Sequence, residues 1–382
     1  MEHMRRATIG ALASLLAASG LVAAVSAPAE AGQSDTTMLR QRATIAWYGK
    51  DYQRHDSASV EIPGIGTARI VCRRDRTMLT IQPRDRSRET QMWSAVHHTK
   101  TDAYGNPYQS VAVKNARVYR YANADDDGTG GTARTANEGF NQQSHPIEDS
   151  SRGSIRGVIS QRAARNKNAA GGTVPPSTAF TVKWDWSGYR GSATTSRCNA
   201  TAVFETRVGT AGRDARRAVK QASSSTVRLG GKKVRVGVTA KTYRGRSAGL
   251  ALNWHGDADA ARQTSASRTI PGLGSLQVTC PTGADSRAQL IVRPARTAAR
   301  LQTETVTGEG DVNDHVESEY HGYDSTTGTL IPVELPLNGI VRGSLKVGSR
   351  KVNLIVSSYR VTNNATHPGL NLCEIAAAVT PG

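Results

Sequence analysis

Aromatic side chains are scarce in this 382-residue chain, with three Phe, five Trp and eleven Tyr, or 5% of the whole. No stretch interleaves aromatics regularly with basic residues, which is what a stacking platform for nucleic-acid bases requires. Cysteine is scarcer still, at four. That count excludes a small disulfide-knotted module, and without a close C-x-x-C pair or regular Cys/His spacing it argues against structural zinc. Beyond the N-terminal thirty residues no segment is long and apolar enough to span a bilayer. No G-x-S-x-G nucleophile elbow is present, and His55-Asp56-Ser57 places triad residue types side by side where a triad needs them apart in sequence and together in space. Acidic residues are also short, 31 against 49 Lys and Arg, giving a net charge of +18.

What the chain does have is the composition of a folded protein, 37% hydrophobic and 21% charged with 37 glycines and 14 prolines. This is neither collagenous nor disordered, and the length allows two or three domains with cores of their own. The N-terminus reads as a processing signal over residues 1–31. Arg5 and Arg6 precede an uncharged, Leu- and Ala-rich run, and Ala29-Glu30-Ala31 offers a small-x-small cleavage site before Gly32. The mature chain is therefore expected outside the cytoplasm, secreted or associated with the cell envelope, with no membrane span after signal removal.

The charge is unevenly spread. Residues 32–210 hold 25 basic and 16 acidic side chains, residues 211–248 hold 11 and one, and residues 250–382 hold 11 and 12. Nearly all the excess precedes Leu250, so net charge marks an asymmetric surface or linker and does not by itself assign a nucleic-acid function.

Internal repetition is the strongest pattern. Ile62-Pro63-Gly64-Ile65-Gly66 recurs as Ile270-Pro271-Gly272-Leu273-Gly274, and Cys72 recurs as Cys280 without a gap. Trp47-Tyr48-Gly49 is echoed by Trp254-His255-Gly256. A second block joins Pro146-Ile147-Glu148 and Gly153-Ser154-Ile155-Arg156-Gly157 to Pro332-Val333-Glu334 and Gly339-Ile340-Val341-Arg342-Gly343. Cys198 and Cys373 close the two series. Short apolar or alternating runs between Gly/Pro turns, such as Val60–Ile62, Ala68–Val71 and Val352–Val356, read as strands, and Lys233–Thr239 alternates with period two. Arg213–Ala222 is the best helical segment of the mature chain.

The expected fold is mainly β: two diverged repeats of an antiparallel β-sandwich-like domain, each with one disulfide. The first domain covers residues 32–210 with long polar insertions, a basic linker or short helix covers 211–231, and the second domain covers 232–382. Four cysteines allow three pairings. Their early and late positions in each repeat favour Cys72 with Cys198 and Cys280 with Cys373.

Few polar groups stand out. Asp125 and Asp127, and Asp311, Asn313 and Asp314, are oxygen donors in Gly-rich loops and would be the calcium ligands if that ion bound. Neither segment has the EF-hand pattern, acidic solvent loops explain both as well, and no cofactor is otherwise expected. His97-His98 could ligate a metal, but neighbours on a strand point to opposite faces. The repeated Glu148, Arg156, Glu334 and Arg342 read more simply as an ion pair within each copy than as acid/base machinery. The sequence therefore points to a secreted binding or cell-envelope interaction protein, with an envelope polysaccharide, an anionic surface or an extracellular protein as partner. A polysaccharide-directed hydrolase and a basic nucleic-acid-binding protein are the alternatives.

Overall fold

Alternating burial along the strands builds the molecule in layers. A computed structural model describes residues 36–382 except 51–54, 75–76, 86–89, 102, 119–136, 139–151, 162–176, 188–193, 209–211, 230, 256–263, 283–285, 309–314 and 362–370. The signal segment, Glu148 and the five candidate calcium ligands lie outside the described residues. Residues 33–382 cluster as one unit. Among the described residues, no helix is long and apolar enough to cross a membrane.

Among the described residues all strand pairings are antiparallel. The first large sheet runs, in spatial order, β11 (Ser224–Leu229), β12 (Lys232–Gly245), β1 (Thr36–Tyr48), β10 (Arg197–Arg207), β9 (Thr178–Ser187), β8 (Arg152–Gln161), β5 (Thr90–Thr101), β6 (Pro107–Val118) and β7 (Asn137–Glu138). The second runs β13 (Ala248–His255), β24 (Leu372–Pro381), β23 (Arg350–Val361), β22 (Asn338–Val347), β17 (Ala299–Thr307) and β18 (His315–His321). A small sheet, β2 (Ser57–Ile62), β3 (Gly66–Cys72) and β4 (Thr77–Pro83), covers the first. Another, β14 (Ser265–Ile270), β15 (Gly274–Thr279), β16 (Gln289–Pro294) and β21 (Val333–Glu334), covers the second, with β19 (Tyr323–Asp324) and β20 (Thr329–Leu330) forming a two-stranded ribbon.

The segment expected to link the two regions divides. Arg213–Gln221 is a helix, α1, whose Ala215 and Ala218 pack on Leu39. The period-two strand β12, placed by its sequence position in the second region, pairs instead with β1 from Thr36↔Gly245 to Thr44↔Gly237 and widens the first sheet. Its valines face inward because Val236 is buried while Arg235 is exposed.

Local geometry is matched between the regions. The Trp47 indole N–H donates to the Cys72 carbonyl at 2.7 Å, and that of Trp254 donates to the Cys280 carbonyl at 3.0 Å. Trp47 sits opposite Cys198 in its sheet and Trp254 opposite Cys373. Both Ile-Pro-Gly segments make a tight turn, Ile65 N–H to Ile62 carbonyl at 3.1 Å and Leu273 N–H to Ile270 carbonyl at 3.0 Å. Gly64 and Gly272 supply positive φ at those turns, 76° and 68°. Disulfides join Cys72 to Cys198 and Cys280 to Cys373, bridging each cover sheet to its large sheet across 126 and 93 residues of chain. On the chain-entropy view each closure stabilises the fold by about 5 kcal/mol.

Three buried layers result. Ile45, Trp47, Ile62, Ile70 and Phe204 are in the core between the first large sheet and its cover, and Leu252, Trp254, Leu276, Val341 and Val379 are in the equivalent core of the second. A third core lies between the two large sheets, where Trp93, Ala95 and Val158 meet Val306, Ile340, Ile355, Ala376 and Ala378. Trp93 stacks obliquely on Tyr359 at 5.5 Å and donates to the Asn338 side chain at 3.3 Å. The central sheets are thus apolar on both faces along these rows, whereas a free-standing sandwich would leave its outer faces polar. Each large side chain buried here contributes about 1.5–3 kcal/mol relative to exposure.

Candidate functional site

The third core covers only part of the facing sheets. Beyond it, the strands that supply apolar residues on one row supply polar ones on the next, and the sheets enclose a cleft of about 910 Å³. From the first sheet it is lined by Arg40, Arg42, Arg156, Lys183, Asp185 and Glu205 around a floor of Thr181, Thr201 and Asn199. From the second it is lined by Glu304, Arg342, Gln302, Ser344 and Asn353. The period of two decides this placement: on β10, Ala200, Ala202 and Phe204 point into the covered core, so Asn199, Thr201, Val203 and Glu205 point into the cleft.

The repeated arginines meet here. Arg156 on β8 and Arg342 on β22 approach Glu304 of β17, which is ion-paired with Arg342 and sits opposite it in register. The partner of Arg342 is therefore a strand neighbour and not Glu334, which is exposed on β21. His97 joins the group, its Nε2 at 3.7 Å from the Glu304 carboxylate. Burial, then the charge on Arg342, holds the His97 imidazole below its ordinary range despite the attraction of Glu304. Burial, then Arg342, likewise lowers Arg156. His97 is thus a neutral strand residue beside Glu304 at neutral pH. His98 is its strand neighbour, and among the described residues no group of three or more His, Cys, Asp or Glu could hold a metal.

Every carboxylate on the walls is engaged. Glu205 accepts a hydrogen bond from the Tyr243 hydroxyl at 2.8 Å and lies 3.8 Å from Arg40. Burial and that same carboxylate push the Tyr243 phenol far above its ordinary range. Asp185 has Arg152 at 3.4 Å and Arg197 at 3.9 Å. Glu304 has Arg342 and His97. Among the described residues, no carboxylate lies within ion-pairing distance of Arg42, Lys183 or Arg156.

Of the residues singled out by sequence, Arg156 and Arg342 converge on the cleft, and the four cysteines secure the sheets behind it. Arg42, Lys183, Glu304 and His97 are distant in sequence and belong to no motif, so the sequence does not mark them as one site. A partial signal existed: Met92-Trp93-Ser94-Ala95-Val96 and Ile375–Val379 are apolar on both strand faces, which marks sheets covered on both sides. No protein family, characterised protein or solved structure was found to match this chain.

Proposed function

We propose that this chain is a secreted, envelope-associated binding protein made of two diverged copies of one β-module, and that its ligand occupies the cleft between the two large sheets. The repeated Ile-Pro-Gly turns, the matched tryptophan-to-carbonyl hydrogen bonds and the two equivalent disulfides support the duplication. The observation that carries the binding reading is the cleft itself: hydroxyl, amide and charged side chains from both regions converge on one concave surface, as ligand sites do. The N-terminal signal supports export. A polysaccharide hydrolase would use a pair of carboxylates flanking the bond to be cut, about 5–9.5 Å apart. Each carboxylate here is instead held by arginine or tyrosine, which favours binding over hydrolysis.

The test is retention of the purified mature protein on panels of envelope polysaccharide, glycan and extracellular protein, compared with Ser344→Trp, which fills the cleft from the second sheet. Retention by the parent and its loss in the variant, at unchanged thermal midpoint, are expected. A parent that binds nothing across the panels, or a filled cleft that binds equally well, overturns the proposal.

A further inference from the structure

The cleft cations form an ordered array. Across the first sheet, one transverse row reads Arg42, Val203, Thr181, Arg156 on β1, β10, β9 and β8. The adjacent row reads Thr44, Thr201, Lys183, Ser154 on the same strands. Neighbouring strands lie about 4.8 Å apart and residues two apart on one strand about 6.8 Å, so the backbones of Arg42 and Arg156 are separated by about 14 Å with Lys183 between and to one side. Short residues, Val203 and the hydroxyl-bearing Thr181 and Thr201, fill the space between these three long cations. On the second sheet one lining row is Gln302, Ser344 and Asn353, neutral amides and a hydroxyl, beside the row that carries Glu304 and Arg342.

Charge and shape together restrict what fits. Arg40 and Arg342 are ion-paired with carboxylates of the protein, whereas Arg42 and Lys183 are not and Arg156 feels Glu304 only at longer range, so these three are the cations left to meet an incoming anion. They are spread along the floor instead of gathered into one cage, which favours a ligand with several separated negative groups over a single phosphate. The amide and hydroxyl wall opposite suits a ligand rich in hydroxyl groups. Nucleobases would need an aromatic face. The aromatic rings on the lining, Phe180 and Trp184, are 2% and 5% exposed and committed to the covered core.

We infer that the ligand is an acidic oligosaccharide, whose negative groups are taken by Arg42, Lys183 and Arg156 while Gln302, Ser344 and Asn353 bind its hydroxyls. This rests on the proposed binding role of the cleft and specifies its ligand class. Charge-assisted hydrogen bonds, shorter and stronger than neutral ones, supply the selectivity.

The experiment is titration calorimetry on the mature protein with four probes: a galacturonic acid hexamer, a neutral galactose hexamer, inorganic phosphate and a single-stranded oligonucleotide of matched charge. Variants are R42Q/K183Q/R156Q, the single R156Q in case the triple fails to fold, and K232Q/K233Q, which removes two exposed cations of the β11–β12 hairpin outside the cleft. The expected result is preferential binding of the acidic hexamer, weakened at least about 30-fold in the triple variant, several-fold in R156Q, and unchanged in K232Q/K233Q. Equal binding of the neutral hexamer, blocked by Ser344→Trp but indifferent to the triple variant, would overturn the anionic ligand and leave the cleft reading standing. Binding of phosphate alone at the same affinity would replace the oligosaccharide with a single-anion site. Oligonucleotide binding as tight as that of the hexamer and equally reduced in K232Q/K233Q would mean surface electrostatics and overturn the inference. If no probe binds and Ser344→Trp has no effect on envelope retention, both readings fall.

Discussion

Replacing Glu304 with Gln tests how the two large sheets are held at the cleft's inner end. The substitution keeps shape and removes one charge. Glu304 and Arg342 side chains are 27% and 21% exposed, so the pair is neither a surface ion pair, contributing about 0–1 kcal/mol, nor a fully buried one, whose disruption costs about 3–5 kcal/mol. Discounting for residual solvent places the expected loss at about 1.5–3 kcal/mol. The loss has an identifiable origin: without the carboxylate, the guanidinium groups of Arg342 and Arg156 face one another with no anion between them. Urea unfolding measures it as a shift in midpoint at constant slope. The double variant E304Q/R342M, which also removes the stranded cation, should recover at least about 1 kcal/mol relative to E304Q alone, since neighbours in one charge network are not additive. A Glu304→Gln protein within about 0.5 kcal/mol of the parent, or a double variant no better than the single, would refute the claim that this carboxylate bridges the two sheets electrostatically.

Two further outcomes are expected. The half-buried imidazole of His97 and the buried one of His321 are both held below the ordinary histidine value of 6.5, chiefly by desolvation. The unfolded chain therefore binds more protons than the folded one between that value and the lower folded ones, so stability should be flat above pH 6.5 and fall as the pH drops below it; urea midpoints for the parent and H97Q at pH 8, 6.5 and 5 check this, and a parent that becomes more stable on acidification across that window contradicts it. Gly274 has φ of 124°, and a Cβ there would stand 2.0 Å from the Arg293 carbonyl; Gly66 has φ of 154° and the same conflict with Gln82 at 2.2 Å. Gly274→Ala and Gly66→Ala should each cost more than about 3 kcal/mol in denaturant unfolding, while Gly322→Ala, with nothing within 4 Å, should stay within about 0.5 kcal/mol. Unequal behaviour of the first two would count against their being counterparts in one duplicated module.

Strand content and cysteine pairing were legible because both are encoded locally or by order along the chain. Val60–Ile62 and Val352–Val356 alternate or run apolar between Gly and Pro turns, and those runs are strands. The cysteines fall at matching points of the two similar sequence series, and Cys72–Cys198 and Cys280–Cys373 are the bonds. The helix at Arg213–Gln221 follows from its local period. By contrast, β12 carries an alternation that says nothing about which sheet it joins, and it pairs with β1 in the first sheet.

By itself, then, the sequence determined the material of this protein: strands, turns with glycine where φ must be positive, two closed loops, and a surplus of basic side chains in its first two thirds. The tertiary structure decided how that material is used. Packing one large sheet on the other gave Trp93, Val306 and Ile355 a third core, and where that packing ends the next rows of the same strands face each other across the cleft. Arg156 and Lys183 come from consecutive strands but Arg42 from one far from them in the chain, and the three share a site only because sheet register aligns them. Hydrophobic periodicity fixes which face a residue occupies, but register and sheet-on-sheet contact, which depend on distant residues, fix what that face meets.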